Sequence, residues 1–500
     1  MNLMTRAFLS CKRNKMKTFA LLLLLIILGS VLSATISSNL AARATTRNLK
    51  ANVHTVAMIE YDWNRAWEIF EETGERVEEG VDTATLRKIG DLPYVRSFDY
   101  SLPGRMWNPS LKHYEPEVAG FSREMFFGRE PGLGHEFQIK GTHNPNIIEM
   151  EEGIIELVSG RVFYPEEIDD LSNVAIVSEA FATLNNLTVG STFSMRNIFV
   201  DYAYGGEVAD IYIEENIIFE ESYDLKIVGL FEVADIHRTG DAMTDWGTLN
   251  LLYNRIYTPN NFVEMSFRFL LDGIEKYAPE WWGEEIPDYE DVVFYDNLFS
   301  LKTFEYLPEF RKAVEEMIPE HFQIIDTGDS HGNAFVALDS MVQLTFRSLW
   351  FAMGATILIV TLLIMLFLRD RRREIGIYLA LGERKERIIV QIIMEITVVA
   401  VIAICLALII GNLIASNISQ TMLENDLATM QEVDVWFWDP LVQMGFRNDI
   451  SAEAVLESYN VSLNLRTTLS FFAISILTIA LSSLIPVLHI LRMNPKKIMM

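Results

Sequence analysis

Four long apolar stretches limit what this chain can fold into more than any other feature. They cover residues 19–36, 349–368, 388–413 and 468–491, and the first two contain no charged residue. A helix needs about 20 mostly apolar residues to cross the hydrocarbon core of a bilayer. Stretches of this length without a polar face are rare among the helices of soluble proteins. We therefore predict four transmembrane helices.

The distribution of Lys and Arg beside these stretches indicates the orientation of the chain. Residues 1–18, 369–387 and 488–500 together hold 15 Lys and Arg residues and four acidic residues, a net charge of +11. The whole chain carries -27, which leaves -38 for the remainder. Cytosolic loops of membrane proteins carry an excess of Lys and Arg. The charges thus predict that both termini and the 369–387 loop are cytosolic, with residues 37–348 and 414–467 outside.

The first apolar stretch also fits a second interpretation. Basic residues, an apolar run and the sequence Ala42-Arg43-Ala44 together match a secretory signal with an A-x-A cleavage site. The apolar run is longer than a usual signal core, and three further apolar stretches follow it. We therefore favour an uncleaved membrane anchor behind a basic, amphipathic N-terminus at residues 1–18.

The outer segment 37–348 has the pattern of an α+β domain. Short alternating runs broken by turn residues are mixed with a few amphipathic helices, which favours two subdomains. The predicted helices cover residues 82–89 and 304–317, and the predicted strands cover 94–100, 173–177, 225–231 and 321–325. The acidity of this domain is typical of a solvated surface, and attraction of a cationic ligand is the alternative.

Two shorter segments of the outer parts leave their roles open. The aromatic run Trp436, Phe437 and Trp438 fits either an anchor at the membrane interface or packing under the large outer domain. Residues 326–332 (DTGDSHG) are predicted to form a polar turn, because a calcium loop needs a longer series of oxygen ligands.

No catalytic constellation stands out in the sequence, so we predict a non-catalytic subunit without a metal. His135 and His143 lie near a glycine-rich turn, but neither their spacing nor a cysteine partner supports a zinc site. Cys11 and Cys405 fall in segments assigned to the cytosol and to a membrane helix, so no disulfide is expected. The pI near 4.7 disfavours nucleic-acid binding. No G-x-x-x-x-G-K-[ST] phosphate loop occurs.

The cytosolic loop carries the most specific signal. A basic run leaves the second apolar stretch, and an apolar set ending at Gly382 follows it; anchoring at anionic headgroups explains the arginines but not that apolar set. The loop resembles the R-R-x-E-I-G-x-x-x-A-x-G signature of FtsX-like permeases, and Leu381 lies inside it. The matching residues are Arg372, Arg373, Glu374, Ile375, Gly376, Ala380 and Gly382.

Two further stretches are similar to the same family. The C-terminus matches at Pro486, Arg492, Asn494, Pro495 and Ile498. The outer domain matches more weakly, around residues 159–161, 173–179 and 187–190.

The resemblance implies a permease subunit of a MacB-type ABC transporter that works by mechanotransmission. It implies no bound cofactor in this chain: a separate ATPase would bind ATP and dock on the coupling loop, and the permease would pair with a second copy or a related permease. The implied layout is residues 1–18 cytosolic, 19–36 transmembrane, 37–348 a MacB-like outer domain, 349–368 transmembrane, 369–387 coupling loop, 388–413 transmembrane, 414–467 outer, 468–491 transmembrane and 492–500 cytosolic. Unlike MacB itself, this chain has no fused ATPase, and its second outer segment is longer than is typical of the family.

The sequence therefore predicts a bacterial plasma-membrane subunit that couples ATP hydrolysis elsewhere to movement of its outer domain. Export or extraction of a peptide, lipid-linked or antibiotic-like substrate is one use of that movement. The alternative is a signalling subunit that activates an outer cell-wall hydrolase or a sensor kinase, and a membrane-anchored adhesin is a third hypothesis. Glu395 in the third stretch either makes a hydrogen-bonded contact or reaches water at the cytosolic boundary.

Overall fold

The chain folds into two compact units. One comprises residues 1–49, 333–431 and 450–500, and the other comprises 50–332 and 432–449. We call them the membrane unit and the outer unit. The computed structural model describes residues 15–52, 55–74, 77, 80–122, 134–201, 212–235, 241–279, 289, 293–370, 377, 383–429, 439–446, 455–456 and 458–492.

Four helices in the described residues are long and apolar enough to cross a membrane, as predicted. Their full extents are α1 (Lys15–Asn52), α10 (Thr327–Asp370), α11 (Lys385–Thr429) and α13 (Leu465–Arg492). Each contains one of the four apolar stretches. The helix α13 continues through Pro486.

The first three of these helices extend well beyond their apolar stretches on the outer side. Helix α1 runs to Asn52, although its apolar stretch ends at residue 36. Its polar continuation is still packed, because Ser38, Asn39 and Ala42 are buried. The length of these helices is therefore set by packing between helices. The apolar stretch in the sequence indicates only the part of each helix that lies in the hydrocarbon core.

The outer unit is an α+β assembly, which confirms the predicted fold class. Its strands are β1 (Val56–Tyr61), β2 (Val95–Ser101), β3 (Pro103–Asn108), β4 (His135–Thr142), β5 (Ile155–Gly160), β6 (Val174–Ser178), β7 (Thr192–Val200), β8 (Ile217–Val233), β9 (Ile256–Pro259), β10 (Asp296–Leu301) and β11 (Phe322–Asp326). Its helices are α2 (Trp63–Thr73), α3 (Thr83–Gly90), α4 (Ile148–Glu151), α5 (Pro165–Asp169), α6 (Glu179–Leu184), α7 (Ala242–Asn254), α8 (Asn260–Tyr277), α9 (Leu307–Glu315) and α12 (Pro440–Gln443).

The strands form two sheets within one compact unit, and residues of both sheets share a core cluster, so the two subdomains stay a prediction. The four-stranded sheet has the order β11-β1-β10-β2 and is antiparallel throughout. Helices α3 and α9 contribute Leu86 and Phe310 to the core on this sheet. Both helices and the strands that follow them match the sequence predictions, and the Asp82 carboxylate caps α3 by accepting the N–H of Thr85 at 2.9 Å.

The larger sheet has seven strands in the order β5-β8-β6-β9-β4-β3-β7. Because β8 also pairs with β7, six of these strands form a continuous ring of pairings and β5 lies outside it. Strand β8 spans 17 residues, far more than the predicted 225–231, and this length lets it pair with β5, β6 and β7. Its partner β7 begins just after Gly190. This glycine has a left-handed φ of +90°, which glycine adopts without the strain that a side chain would cause.

A short piece of the second outer segment completes the outer core. The side chains of Leu441, Met444 and Phe446 are buried in the same cluster as Ile148 of α4 and Phe231 of β8. The backbone is also held, because Thr248 Oγ1 donates to the Val442 carbonyl at 3.3 Å. The aromatic run 436–438 lies outside the described residues, whereas its neighbour 440–446 is an integral part of the outer unit.

The predicted polar turn at residues 326–332 is wrong, because helix α10 begins at Thr327. The Asp326 carboxylate accepts the N–H of Gly328 at 2.8 Å and so satisfies a donor in the first helical turn. Small and polar residues favour helix N-termini as well as turns, and local composition does not separate the two.

Candidate functional site

Helices α1 and α11 meet along a seam of small residues. A Cβ atom added at Gly29 would lie 2.8 Å from the Ala407 Cβ, and one added at Gly411 would lie 2.6 Å from the Ser30 carbonyl oxygen. Ser33 Oγ donates to the Leu408 carbonyl at 3.3 Å along the same seam. Small residues let helix backbones approach closely where lipid provides no hydrophobic drive for association. The close contact of these helices therefore depends on the absence of side chains.

Neutral polar groups join the other helices of the membrane unit. The Asn39 amide donates to Thr345 Oγ1 and to the Val342 carbonyl of α10, both at 2.9 Å. Thr361 of α10 donates to the Ser482 carbonyl of α13 at 2.9 Å, and Ser38 is hydrogen-bonded to Ser419. Such bonds between membrane helices contribute about 0.6 kcal/mol each on average.

The predicted coupling residues lie in the connection between α10 and α11. All eight of them fall outside the described residues: Arg372, Arg373, Glu374, Ile375, Gly376, Ala380, Leu381 and Gly382. Within the same loop Ile377 is helical and 55% exposed. Glu383 and the exposed Arg387 form an ion pair at 4.0 Å. The role of the loop in ATPase coupling stays a prediction.

Glu395 lies in the third turn of α11 and is half-buried. The Gln391 amide donates to its carboxylate at 3.4 Å, one turn earlier on the same helix. This hydrogen bond lies within one helix, so the contact of Glu395 at the dimer or ATPase-proximal end stays a prediction.

The histidines considered for a metal site have other roles. The rings of His113 and His135 stack with centroids 4.6 Å apart. His143 Nδ1 lies 2.7 Å from an oxygen of the buried Asp99. No group of three or more His, Cys, Asp or Glu residues in the described part of the chain could hold a metal ion.

A buried charged cluster in the outer unit is the feature that sequence reasoning missed. The fully buried Glu149 accepts from Lys140 Nζ at 2.6 Å and from the Tyr257 hydroxyl at 3.3 Å, and Arg255 Nη1 lies 3.8 Å away. Burial alone would raise the pKa of Glu149, but the charges of Lys140 and Arg255 outweigh it and lower the pKa. Glu149 is therefore ionised at neutral pH and balances cations in the core.

A sequence signal for this cluster does exist. Lys140 is preceded by FQI, Arg255 is followed by IY and Glu149 follows two isoleucines, so each is a charge within an apolar environment. Single charges in apolar stretches are costly to bury unless they are paired. Their pairing was not predictable, because the three residues come from β4, α4 and the α7–β9 connection.

Four helices long and apolar enough to cross a membrane, together with a large α+β unit, define an integral membrane protein with a large additional domain. Residues 348–495 match the sequence model described as FtsX-like permease C-terminal. These residues therefore form an FtsX-like permease domain, which confirms the resemblance of the loop and the C-terminus.

A full-length relative supports the same assignment. The chain is 21% identical over 528 residues to the uncharacterized ABC transporter permease YclI of Bacillus subtilis strain 168, and the alignment covers 100% of this chain and 99% of the relative. The chain is thus similar in its whole organisation to an ABC transporter permease.

Two solved structures are similar to parts of the chain. One is the extracellular domain of the noncanonic ABC-type transporter YknZ from Gram-positive bacteria, at 9% identity and a TM-score of 0.29, covering 54% of this chain and 99% of that one. The other is the periplasmic region of MacB from Actinobacillus actinomycetemcomitans, at 10% identity and a TM-score of 0.29, covering 55% of this chain and 91% of that one.

Proposed function

We propose that this chain is the permease subunit of an ABC transporter and couples ATP hydrolysis in a separate subunit to movement of its outer domain. The observation that carries the proposal is the FtsX-like permease domain at residues 348–495, which contains the signature loop between two membrane helices. The sequence of the loop supplies the residue types that an ATPase-docking surface needs, because it combines arginines with apolar residues. The subunit itself performs no chemistry in this proposal, and ATP is bound by the partner.

The proposed setting is the plasma membrane of a bacterium, with both termini in the cytosol. The charge asymmetry of +11 for the three basic segments against -38 for the rest supports this orientation. A pair of permease subunits, identical or related, would place two coupling loops beside two ATPase subunits. The substrate class in this proposal is a peptide, lipid-linked or antibiotic-like molecule that is exported or extracted at the outer membrane face.

The first test asks whether an ATPase depends on the signature. The tagged chain is purified from native membranes, co-purifying proteins are identified by mass spectrometry, and ATP hydrolysis is measured after reconstitution. We expect an ABC ATPase to co-purify, and we expect a double Arg373→Ala and Glu374→Ala variant to lose the ATP-dependent activity while its helical content is unchanged.

A matched control comes from outside the coupling loop. The double variant Arg65→Ala and Glu68→Ala removes an ion pair of the outer unit at 2.9 Å and leaves the whole loop intact. It should retain activity close to wild type. Absence of an ATPase together with normal function of a Gly376→Glu variant would overturn the proposal, and a co-purifying wall hydrolase or histidine kinase would favour a signalling role.

A further inference from the structure

The outer unit contains a cavity of about 650 Å³ beside the charged cluster. This volume lies within the range of about 300–1,000 Å³ that small-molecule sites occupy. Aromatic side chains form part of its wall, and two of them, Trp107 and Tyr212, stack with centroids 4.4 Å apart. Phe199 and Phe267 add to this apolar lining, and the buried cations Lys140 and Arg255 also line the cavity.

Arg255 has hydrogen-bonding capacity that the protein does not use. The residue is only 5% exposed, and its Nη2 donates to the Gln443 carbonyl at a long 3.4 Å. Its Nη1 is buried and has no hydrogen-bond partner among the described residues, since the nearest Glu149 oxygen is 3.8 Å away. A buried donor without an acceptor costs free energy, more so when it is charged. Nη1 itself is closed off from the cavity, so a ligand carboxylate would supply the missing acceptor once the guanidinium rotates toward the cavity.

A carboxylate of the protein lines the same cavity. Asp296, the first residue of β10, forms no ion pair within the described part of the chain. Burial raises the pKa of Asp296, and the nearby charges of Lys140 and Arg255 partly offset that rise. The remaining charges of the lining are already matched. Lys140 is bonded to Glu149 at 2.6 Å, and Arg105 lies 3.7 Å from Glu136. The cavity therefore offers one positive and one negative group to a ligand.

We propose that this cavity binds a small zwitterionic ligand of the amino-acid or short-peptide class. The ligand carboxylate would pair with Arg255, its ammonium group with Asp296, and its apolar side chain would lie against Trp107 and Tyr212. This site goes beyond the proposed transport function, because it assigns a ligand to the outer unit whether or not an ATPase is bound.

Isothermal titration of the full-length chain in lipid nanodiscs tests the proposal without an ATPase. The probes are the free dipeptides Ala-Phe, Ala-Tyr and Ala-Trp, each with its C-terminal amide and its N-acetyl derivative. We expect at least one free dipeptide to bind with one site per chain. Each blocked form should bind about tenfold more weakly or worse, since a hydrogen bond to a charged group is worth about 1.5–3 kcal/mol.

Variants then locate the binding site. Asp296→Asn keeps the shape of the side chain and should weaken the free dipeptide about tenfold, while the N-acetyl form should be unaffected. Asp224→Asn, an exposed aspartate outside the cavity lining, is the matched control and should change nothing. Failure of every free dipeptide to bind, equal binding of free and blocked forms, or wild-type binding by Asp296→Asn would each overturn the proposal.

Discussion

The outer unit buries charged side chains in its core, whereas the membrane unit joins its helices through uncharged groups and small residues. Glu149, Lys140 and Arg255 lie together under the large sheet. Between the membrane helices, the corresponding links are a threonine hydroxyl on a carbonyl and a glycine against a serine. The difference follows from what surrounds each unit before it packs, which is water for the outer unit and lipid for the membrane unit. An aqueous domain can bury a charge if the partners come with it, but a charge at the centre of a membrane helix costs about 2.5–3.5 kcal/mol on insertion scales.

The largest expected effect comes from removing the acidic partner of the buried charged cluster. Replacing Glu149 with Gln removes the carboxylate that forms ion pairs with Lys140 and Arg255, and removal of one partner from a buried pair costs about 3–5 kcal/mol. The outer unit should therefore unfold at lower denaturant concentration, measured by hydrogen exchange of the full-length protein. Glu220→Gln removes an exposed partner of Arg196 and should cost less than about 1 kcal/mol. Equal effects of the two variants would show that the cluster has no special role.

Removing a side chain from the docked segment 439–446 should have the next largest effect. Leu441 is buried in the outer core, and Leu→Ala at such a site costs about 2–5 kcal/mol because it leaves a cavity. The same hydrogen-exchange measurement should show loss of protection in the strands that contact this segment. Leu441→Met conserves the volume and should cost less than about 1.5 kcal/mol. Unchanged protection in the Leu441→Ala variant would mean that the segment is not part of the core.

Acid should remove the contribution of the charged cluster. Because the folded-state pKa of Glu149 is lowered, its stabilisation is present above the unfolded pKa near 4.3 and is lost as the pH falls through the folded pKa. The stability difference between wild type and Glu149→Gln should therefore be largest at neutral pH and shrink below about pH 4. Urea unfolding of both proteins across this range measures it. A difference that stays constant with pH would indicate a packing effect instead of a charge effect.

The seam of the membrane unit should respond to volume and not to charge. Gly411→Ala places a Cβ against Ser30 and Ser33, and overpacking of this kind costs about 1–3 kcal/mol. Gly354→Ala is the matched control on α10, since its Cβ would have no atom within 4 Å. Thermal unfolding in nanodiscs should show a lower midpoint for the first variant only. A similar midpoint for both would show that α1 and α11 do not need the close approach.

The smallest expected effect is the loss of one hydroxyl between membrane helices. Thr361→Val removes the donor to the Ser482 carbonyl and should cost about 0.6 kcal/mol. Thr397→Val is the control. Among the contacts described, the Thr397 hydroxyl donates only to the Ile393 carbonyl of its own helix, at 2.8 Å. Steric trapping or thermal unfolding of each variant in the bilayer gives the difference. A cost of several kcal/mol for Thr361→Val would contradict this prediction, since that is the cost expected for the buried charged cluster of the outer unit.

The parts of the fold that the sequence predicted are those with a local cause. Membrane helices follow from uninterrupted apolar composition, and α3 follows from an Asp82 cap before an amphipathic run. The signature of the coupling loop was equally visible, although residues 371–376 and 378–382 lie outside the described structure. What could not be predicted depends on distant partners. The aromatic run beside residue 440 suited the membrane interface as well as a protein core, and only the contacts of Leu441 and Phe446 place its neighbour in the outer unit.

The docking of residues 439–446 also has a consequence for biogenesis. The chain is made from its N-terminus, so residues 50–332 emerge before α11 and the segment that completes their core. Until Phe446 has been synthesised, the apolar surface that it covers stays open. The outer unit therefore completes its core only after α11 has been made, and a chain that ends before residue 440 leaves that apolar surface exposed.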